Sequence, residues 1–289
     1  NYTLEEVSQS LLGTGKLIKG KDRHKEINEL YKTNQKKLIE YNLQDCKLVY
    51  DILEKTKLLD LLIDRSQLTG LTLDRLSGSI SAFDSLYIRE ARARHLVSPT
   101  TVFTEKEKKL TGGYVFSAHQ GIFDQVLVFD FKSLYPSIIK TFNIDPASFL
   151  GNKKEKNSIE APNKIYFENT NGILPDIITK LHSAREKAKK EERELANYAI
   201  KITMNSFWGV LASQNCRYFN FDMASAITSF ARMIIQQTAK KIEEKGYKVI
   251  YSDTDSVFID TELNKEKAEK LSKELENYIN NFYKELVKK

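Results

Sequence analysis

The chain has 289 residues, 45 Lys and Arg against 39 Asp and Glu, and a formal charge of +6, a mild basic excess suited to polyanions. Its length buries a real core in one large domain or two, and runs such as LLDLLI are far too short to span a bilayer. Two distant cysteines, Cys46 and Cys216, match no zinc spacing and point to a reducing compartment. No signal peptide is visible, and a first residue other than Met predicts that the chain belongs to something longer.

Residues 1–60 read as helices around a polar, basic linker, GTGKLIKGKDRHKE, and helical periodicity continues from about 37 to 62. In that stretch YNLQDC places Tyr41 and Asp45 four apart on a helix. The pair suits a carboxylate metal ligand beside a phenol near an attacking water, although a surface Tyr/Asp pair is the commoner explanation. LTGLTLDRLSGSISAFDSLYIREARARHL reads as a turn and a helix, and SPTTVFTEKEKKLTGGYVF as a charged loop ending in a Gly-Gly turn. GIFDQVLVFDFKSLYPSIIKTFNI reads strand, turn, helix. Its apolar run ends at Asp130, and Pro136 sits near the helix start, where its missing N–H does no harm. Residues 151–172 are polar and irregular. From 174 to about 211 the pattern is too long for one ordinary helix and predicts a helical hairpin turning near KKEERE. A helix over about 222–245, a β-ribbon in GYKVIYSDTDSVFID and a charged helix over 264–288 complete the chain, without internal repeats.

Asp130 ends a strand just before a helix N-terminus, whose backbone N–H groups in KSLYPS are ready for phosphate oxygens. A carboxylate beside phosphate is unfavourable unless a divalent metal bridges the two. In the ribbon Val249, Tyr251, Val257 and Ile259 alternate as strands do, while Ser252 to Ser256 has turn chemistry. Alternation puts Asp253 and Asp255 on one side, where they repel each other unless a cation intervenes. If packing brings Asp130 to that tip, the result is a two-metal carboxylate cluster of hard oxygens, suited to magnesium or manganese. Taken singly, each Asp is more often a cap or turn residue. A calcium loop is excluded, because Phe258 and Asn264 stand where it needs Gly and Glu. An aspartic-protease motif is excluded too, because Asp255 stands where it needs Gly.

On the helical hairpin Arg185 and Lys189 share a face, as do Lys201 and Asn205. Antiparallel arms would present three cations and an amide to a polyphosphate. A solvated basic helix explains AREKAKKEERE taken alone. It fits Lys201 less well, set among Ala199, Ile200, Ile202 and Met204. His24, His95, His119 and His182 are scattered and read as structural or exposed.

DFKSLYPSII, KITMNSFWG and YSDTDS, in that order, resemble the three polymerase motifs of family B DNA polymerases. YNLQDC resembles the last of the family's three exonuclease motifs, and TGGYVF the element linking exonuclease to polymerase. DRLSGSISAFDSLYIREARARHLVSP and FDQVLVFDFKSLYPSIIKTFNIDP are similar to the DNA polymerase II branch. The resemblance covers nearly the whole chain. It implies an α+β fold: a palm with an antiparallel sheet and a two-helix fingers insertion, preceded by a helical remnant of an RNase H-like exonuclease domain. The expected domains are 1–62 as the end of the 3′–5′ exonuclease, 63–111 as a helical connector, 112–164 and 209–289 as palm, and 165–208 as fingers, with the thumb absent.

Carried over residue by residue, the resemblance makes Asp130 and Asp255 metal ligands together with the Phe131 carbonyl, with Asp253 supporting them. The backbone of Ser133, Leu134 and Tyr135 would hold the triphosphate, and Tyr135 would exclude a 2′-hydroxyl. Arg185, Lys189, Lys201 and Asn205 would bind nucleotide phosphates. The implied activity is template-directed, two-metal nucleotidyl transfer from dNTP to a DNA primer, with two Mg2+ ions, or Mn2+ in their place. Primer-template DNA, dNTP and, through segments outside the chain, a sliding clamp are the expected partners, with no membrane. The expected location is the cytoplasm, at the nucleoid, in a prokaryote. Trp208 stands where the family usually has Tyr, behind the nascent base pair. The first two exonuclease motifs are expected upstream, so no 3′–5′ exonuclease activity is expected of the chain alone, and without a thumb to grip duplex DNA it should be a poorly active polymerase. The alternatives are an inactive polymerase-like scaffold in a replication or repair complex, against which intact Asp130, Asp255 and Lys201 argue, and a nuclease resting on Tyr41 and Asp45.

Overall fold

Between Gln67 and Leu68 the chain divides into two units, seen in a computed structural model that describes residues 2–19, 22–76, 78–101, 112–116 and 119–288. The first unit is helical. Thr3 and Glu6 form a capping box at the start of α1 (Leu4–Leu12), which Gly13 closes at φ 71°. Two helices follow, α2 (Arg23–Thr33) and α3 (Gln35–Thr56), the second capped by the Asn34 side chain, which accepts from the Lys37 amide. The stretch predicted as one helix over 37–62 is two. Lys57 takes a left-handed φ of 49° and donates its N–H to the carbonyls of Glu54 and Leu53, and α4 (Leu58–Thr69) restarts beyond it, running across the division. Leu48 of α3 is buried, whereas Ile39, Leu43, Tyr50 and Leu53 lie exposed along one face of that helix.

The second unit begins with a 3-10 turn (Leu73–Arg75) and α5 (Ser79–Ala93), followed by β1 (Val115–Phe116). Residues 102–111, most of the charged loop read from the sequence, lie outside the described residues. The strand, turn and helix around Asp130 form as predicted, as β2 (Val126–Asp130) and α6 (Leu134–Thr141). The segment read as irregular over 151–172 contains strands instead: β3 (Phe149–Gly151), β4 (Ile159–Glu160) and β5 (Tyr166–Phe167) pair antiparallel in the order β3-β5-β4. Strands of two or three residues are too short for alternation to show. The helical hairpin is α7 (Ile173–Lys190) and α8 (Glu194–Leu211), turning through Glu192 at φ 55°. Next come α9 (Phe221–Glu243), β6 (Lys248–Asp253), β7 (Ser256–Asp260) and α10 (Lys265–Lys288). None of the described helices is long and apolar enough to cross a membrane.

The larger sheet is antiparallel, in the order β1-β6-β7-β2. One face is covered: Leu127, Phe129, Val249, Val257 and Ile259 pack with Ile235 and Ile242 of α9 and Leu271 and Leu275 of α10. The alternation expected for Val249 and Tyr251 does not hold, because Ile250 is an extra residue between the pairs Val249↔Ile259 and Tyr251↔Phe258. This bulge turns Tyr251 away from the core, where its ring meets Phe258 at 5.2 Å, and turns Ser252 inward. Val128 and Asp130 share the sheet's open face. A second core joins α5 to α9 through Phe83, Ile139, Leu174, Ile178, Met204 and Phe207, with Phe142 stacked on Phe230 at 3.7 Å. A sheet covered on one side leaves its strand ends and hairpin tip free to carry chemistry.

Candidate active site

Asp130 is the last residue of β2 and pairs across the ladder with Ser256, whose hydroxyl donates to Asp130 Oδ2 at 3.2 Å. One residue further, the Phe131 amide donates to the Asp255 carbonyl at 2.9 Å. The end of β2 is thereby tied to the tip of the β6–β7 hairpin. At the tip Thr254 has φ 51°, unusual for a β-branched residue, and the Asp255 amide donates back to the Asp253 carbonyl at 2.5 Å. A backbone held in this way at a cleft is a recurrent mark of functional sites. Gly113 packs against Thr254: a Cβ there would lie 2.9 Å from Thr254 Cγ2, so the Gly-Gly turn read from the sequence seats the edge strand against the tip. Burial, and then the negative charge of Asp130, hold the Asp255 carboxyl above the usual carboxylate range, with Asp253 adding less.

The turn also resets the strand alternation. Asp253, Ser256 and Asp130 form one row across three strands, which puts Asp253 roughly 10 Å from Asp130 at ordinary strand spacing. The tip carries Asp255 into a cleft of about 500 Å3 with Asp130, and Asp253 is not among the residues lining it. Asp253 instead accepts from the Thr254 hydroxyl at 3.0 Å.

The cleft floor is the turn into α6. Ser133, in the position before the helix, has φ 54°, and the first helical N–H groups, at Leu134 and Tyr135, have no intrahelical carbonyl to reach. They open on a cleft that both residues line. The half-buried Tyr135 ring lies 5.3 Å from that of Trp208, whose indole N–H donates to the Ala224 carbonyl at 3.1 Å. Burial and the charge of Asp255 push the Tyr135 hydroxyl up from its ordinary value.

From the other side come the helical arms. Arg185 is nearly buried; its Nε donates to Asn197 Oδ1 at 2.9 Å and a terminal nitrogen to Ser133 Oγ at 3.4 Å. Lys201 and Asn205, one turn apart on α8, line the same cleft. Lys201 is exposed there, so the apolar residues around it in sequence occupy the buried side of α8. Lys189 does not line the cleft. Its ammonium lies 3.3 Å from Glu186, which also holds Lys132 at 3.2 Å, and the two lysines keep the Glu186 carboxyl below its usual range. Sequence reasoning missed Asn197, which faces Arg185 across the hairpin turn; once the turn is placed, the antiparallel register of the arms is the signal for it.

In the first unit Tyr41 and Asp45 do meet, around a lysine. Lys16 pairs with Asp45 Oδ2 at 2.6 Å and lies 5.2 Å from the Tyr41 ring centre. Burial alone would lower the Lys16 ammonium, but hydrogen bonds to Asp45 and Tyr41 hold it above its ordinary value. The other Asp45 oxygen is buried with no hydrogen-bond donor among the described residues.

Two carboxylates lining one cleft with the cation- or amide-bearing side chains of Arg185, Lys201 and Asn205 and a helix N-terminus have the chemistry of a metal-assisted phosphate site. Residues 76–288 match the profile of DNA polymerase family B, and the chain belongs to that family. It is 37% identical over 295 residues to DNA polymerase II of Escherichia coli (strain K12), covering 100% of this chain and 38% of that protein. It is 30% identical over 305 residues to a DNA polymerase of Desulfurococcus sp. (strain Tok), covering 96% and 38%. Among solved structures, the family B DNA polymerase from the hyperthermophilic archaeon Pyrobaculum calidifontis matches with a TM-score of 0.72 at 24% identity, over 94% of this chain and 38% of that one. The chain thus spans 38% of the length of these relatives. The fold is the family's mixed α+β architecture, with antiparallel sheets and palm- and fingers-like helical segments. Family B polymerases use Mg2+ in catalysis; among the described residues no group of three or more His, Cys, Asp or Glu side chains is assembled to hold a metal.

Proposed function

We propose that the chain carries the catalytic core of a DNA-directed DNA polymerase of the DNA polymerase II branch. The observation that carries this reading is the meeting of Asp130 and Asp255 in one cleft with Arg185, Lys201 and Asn205. The donor set fits magnesium: Asp130, Asp255 and the Phe131 carbonyl are hard oxygens, and the charge of Asp130 already bears on Asp255. Bound there, two Mg2+ ions, or Mn2+, would counter the charge of the triphosphate and of the attacking oxygen. Asp253, on the far side of Ser256, takes a supporting role.

The N–H groups of Ser133, Leu134 and Tyr135 receive the triphosphate, with Arg185, Lys201 and Asn205 around it, while Lys189 stays paired with Glu186 outside the cleft. The Tyr135 ring lies under the sugar and fills the space of a 2′-hydroxyl. The primer 3′-oxygen then forms a bond to the α-phosphorus as the bond to pyrophosphate breaks. In this reading the larger sheet and its helices are palm, 165–208 fingers, 63–111 a connector and 1–62 the end of an exonuclease. Primer-template DNA and dNTP are the substrates, and a sliding clamp is a partner of the whole protein. The 37% identity to the Escherichia coli enzyme supports the branch.

Single-nucleotide incorporation on primer-templates that differ only in the next template base tests the reading. Addition of only the complementary dNTP supports it, and addition indifferent to the template base refutes it.

A further inference from the structure

Asp145, in the turn after α6, is a carboxylate wholly shielded from solvent that the chemistry above leaves unused. Three donors converge on it: the Leu174 amide at 2.7 Å and the Tyr87 hydroxyl at 3.0 Å on Oδ1, and the Ala147 amide at 2.9 Å on Oδ2. Leu174 is the second residue of α7, and the helix's own N-cap, Gly172, supplies no side-chain cap. A carboxylate from another part of the chain therefore caps the first arm of the helical hairpin. Asn143 works beside it, at φ 50°. Its Oδ1 accepts from the Gly172 amide at 2.9 Å, and its Nδ2 donates to the Glu168 carbonyl at 2.6 Å. A Cβ on Gly172 would lie 2.6 Å from Asn143 Oδ1 and 3.0 Å from Asp145 Cβ, so the helix start approaches as closely as glycine permits.

Helix α5 grips the same end of α7. Tyr87, Glu90 and Arg94 recur at helical spacing: Tyr87 reaches Asp145, Glu90 pairs with Lys180 at 2.6 Å, and Arg94 bonds Asp176 and, at 2.6 Å, the Asn171 carbonyl. Arg185 lies eleven residues beyond Leu174, about 17 Å along the helix. Over that arm a tilt of roughly 10° at the base moves the guanidinium by about 3 Å, the difference between a hydrogen bond and none.

We propose that the Asp145–Asn143 clamp is a positioning device for the nucleotide site, setting the angle at which the helical hairpin presents Arg185, Lys201 and Asn205 to the triphosphate. The proposal rests on reading the cleft as the dNTP site. Gly172 is buried and its surroundings leave no room for a capping side chain of its own, so the cap comes from Asp145. A buried carboxylate with three directed donors fixes one arrangement of three elements, where apolar packing tolerates several.

Trp208 is the chain's only tryptophan, and its contact with Tyr135 makes its fluorescence a reporter of the cleft. Titration with Mg·dATP would compare wild type, Asp145→Asn, Asp145→Ala and Asn143→Ala, with Lys201→Ala as a control on the site and thermal melts on each. Asp145→Ala and Asn143→Ala should raise the apparent Kd about tenfold, because fewer molecules hold the hairpin in the binding arrangement. Asp145→Asn, which keeps an acceptor for Leu174 but not for Ala147, should fall between them and wild type. Wild-type affinity in the folded Asp145 variants, with only their melting points lowered, would overturn the proposal and leave the clamp purely structural. Wild-type affinity in Lys201→Ala would instead show that the cleft is not the dNTP site, and the proposal would fall with that reading.

Discussion

The Phe131 amide donates to the Asp255 carbonyl at 2.9 Å, one residue past the pairing of Asp130 with Ser256. The nearness of Asp130 and Asp255 is thus built into the main chain. Neither carboxylate side chain is needed to bring them together, so either can be changed without dispersing the site. The repulsion between them is a standing cost that a folded protein carries for a purpose.

Removing the cations should separate function from stability. Lys201 has no ion-pair partner among the described residues, so Lys201→Ala should change stability by only about 0.5 kcal/mol. It should weaken dNTP affinity roughly tenfold to a hundredfold, since a charge-assisted phosphate contact is lost. Arg185→Ala should lose affinity and also about 1–3 kcal/mol of stability, because Asn197 and Ser133 lose their donor. Lys189→Ala, which breaks a contact to Glu186 outside the cleft, should do little to either. Thermal melts and dNTP titrations on the three variants check the order.

Replacing Tyr135 with Ala should lower the preference for deoxyribonucleotides, because the ring fills space a 2′-hydroxyl needs. The half-buried ring also leaves Trp208 when removed, at about 1–3 kcal/mol. Incorporation kinetics with matched dNTP and rNTP decide it: an unchanged ratio would make Tyr135 a packing residue only.

Much of this was legible from residue pattern. Long helices declare themselves by period, so the arms of the helical hairpin and the turn at Glu191–Arg193 were readable, and the apolar run ending at Asp130 marked its strand. What failed depends on one residue or on tertiary geometry. A single inserted residue, Ile250, inverted the faces of Tyr251 and Ser252. A left-handed Thr254 separated Asp253 from Asp255, although a period of two would have kept them together. Lys57 broke a continuous helical pattern by one backbone angle. Asp145 and Asn143 carried no local signal, because their partners Tyr87 and Gly172 stand 58 and 29 residues away.

Asp145 should also leave a mark on the pH dependence of stability. Burial holds its carboxyl above the ordinary 3.8, against the pull of the Leu174 and Ala147 amides and the Tyr87 hydroxyl. The folded chain therefore keeps this proton to higher pH than the unfolded chain does. The resulting stability is complete below the unfolded value and is lost as pH rises through the folded one, the reverse of an ion-paired carboxylate. Asp145→Asn is neutral throughout. Melting curves from about pH 3.8 upward should show wild type losing stability relative to the variant. A difference independent of pH would mean the carboxyl is ionised across that whole range.

The most direct test of the account is the rate of single-nucleotide addition with Mg2+ on a primer-template, for wild type, Asp130→Asn and Asp255→Asn. Both substitutions keep volume and remove one charge from the carboxylate pair, so melting temperatures should stay level or rise slightly. Addition of the complementary nucleotide should fall by at least about a thousandfold in each, since the electrostatic stabilisation of the transferring phosphoryl group is lost. Near-normal addition by either folded variant would contradict the assignment of these two carboxylates as the centre of the site.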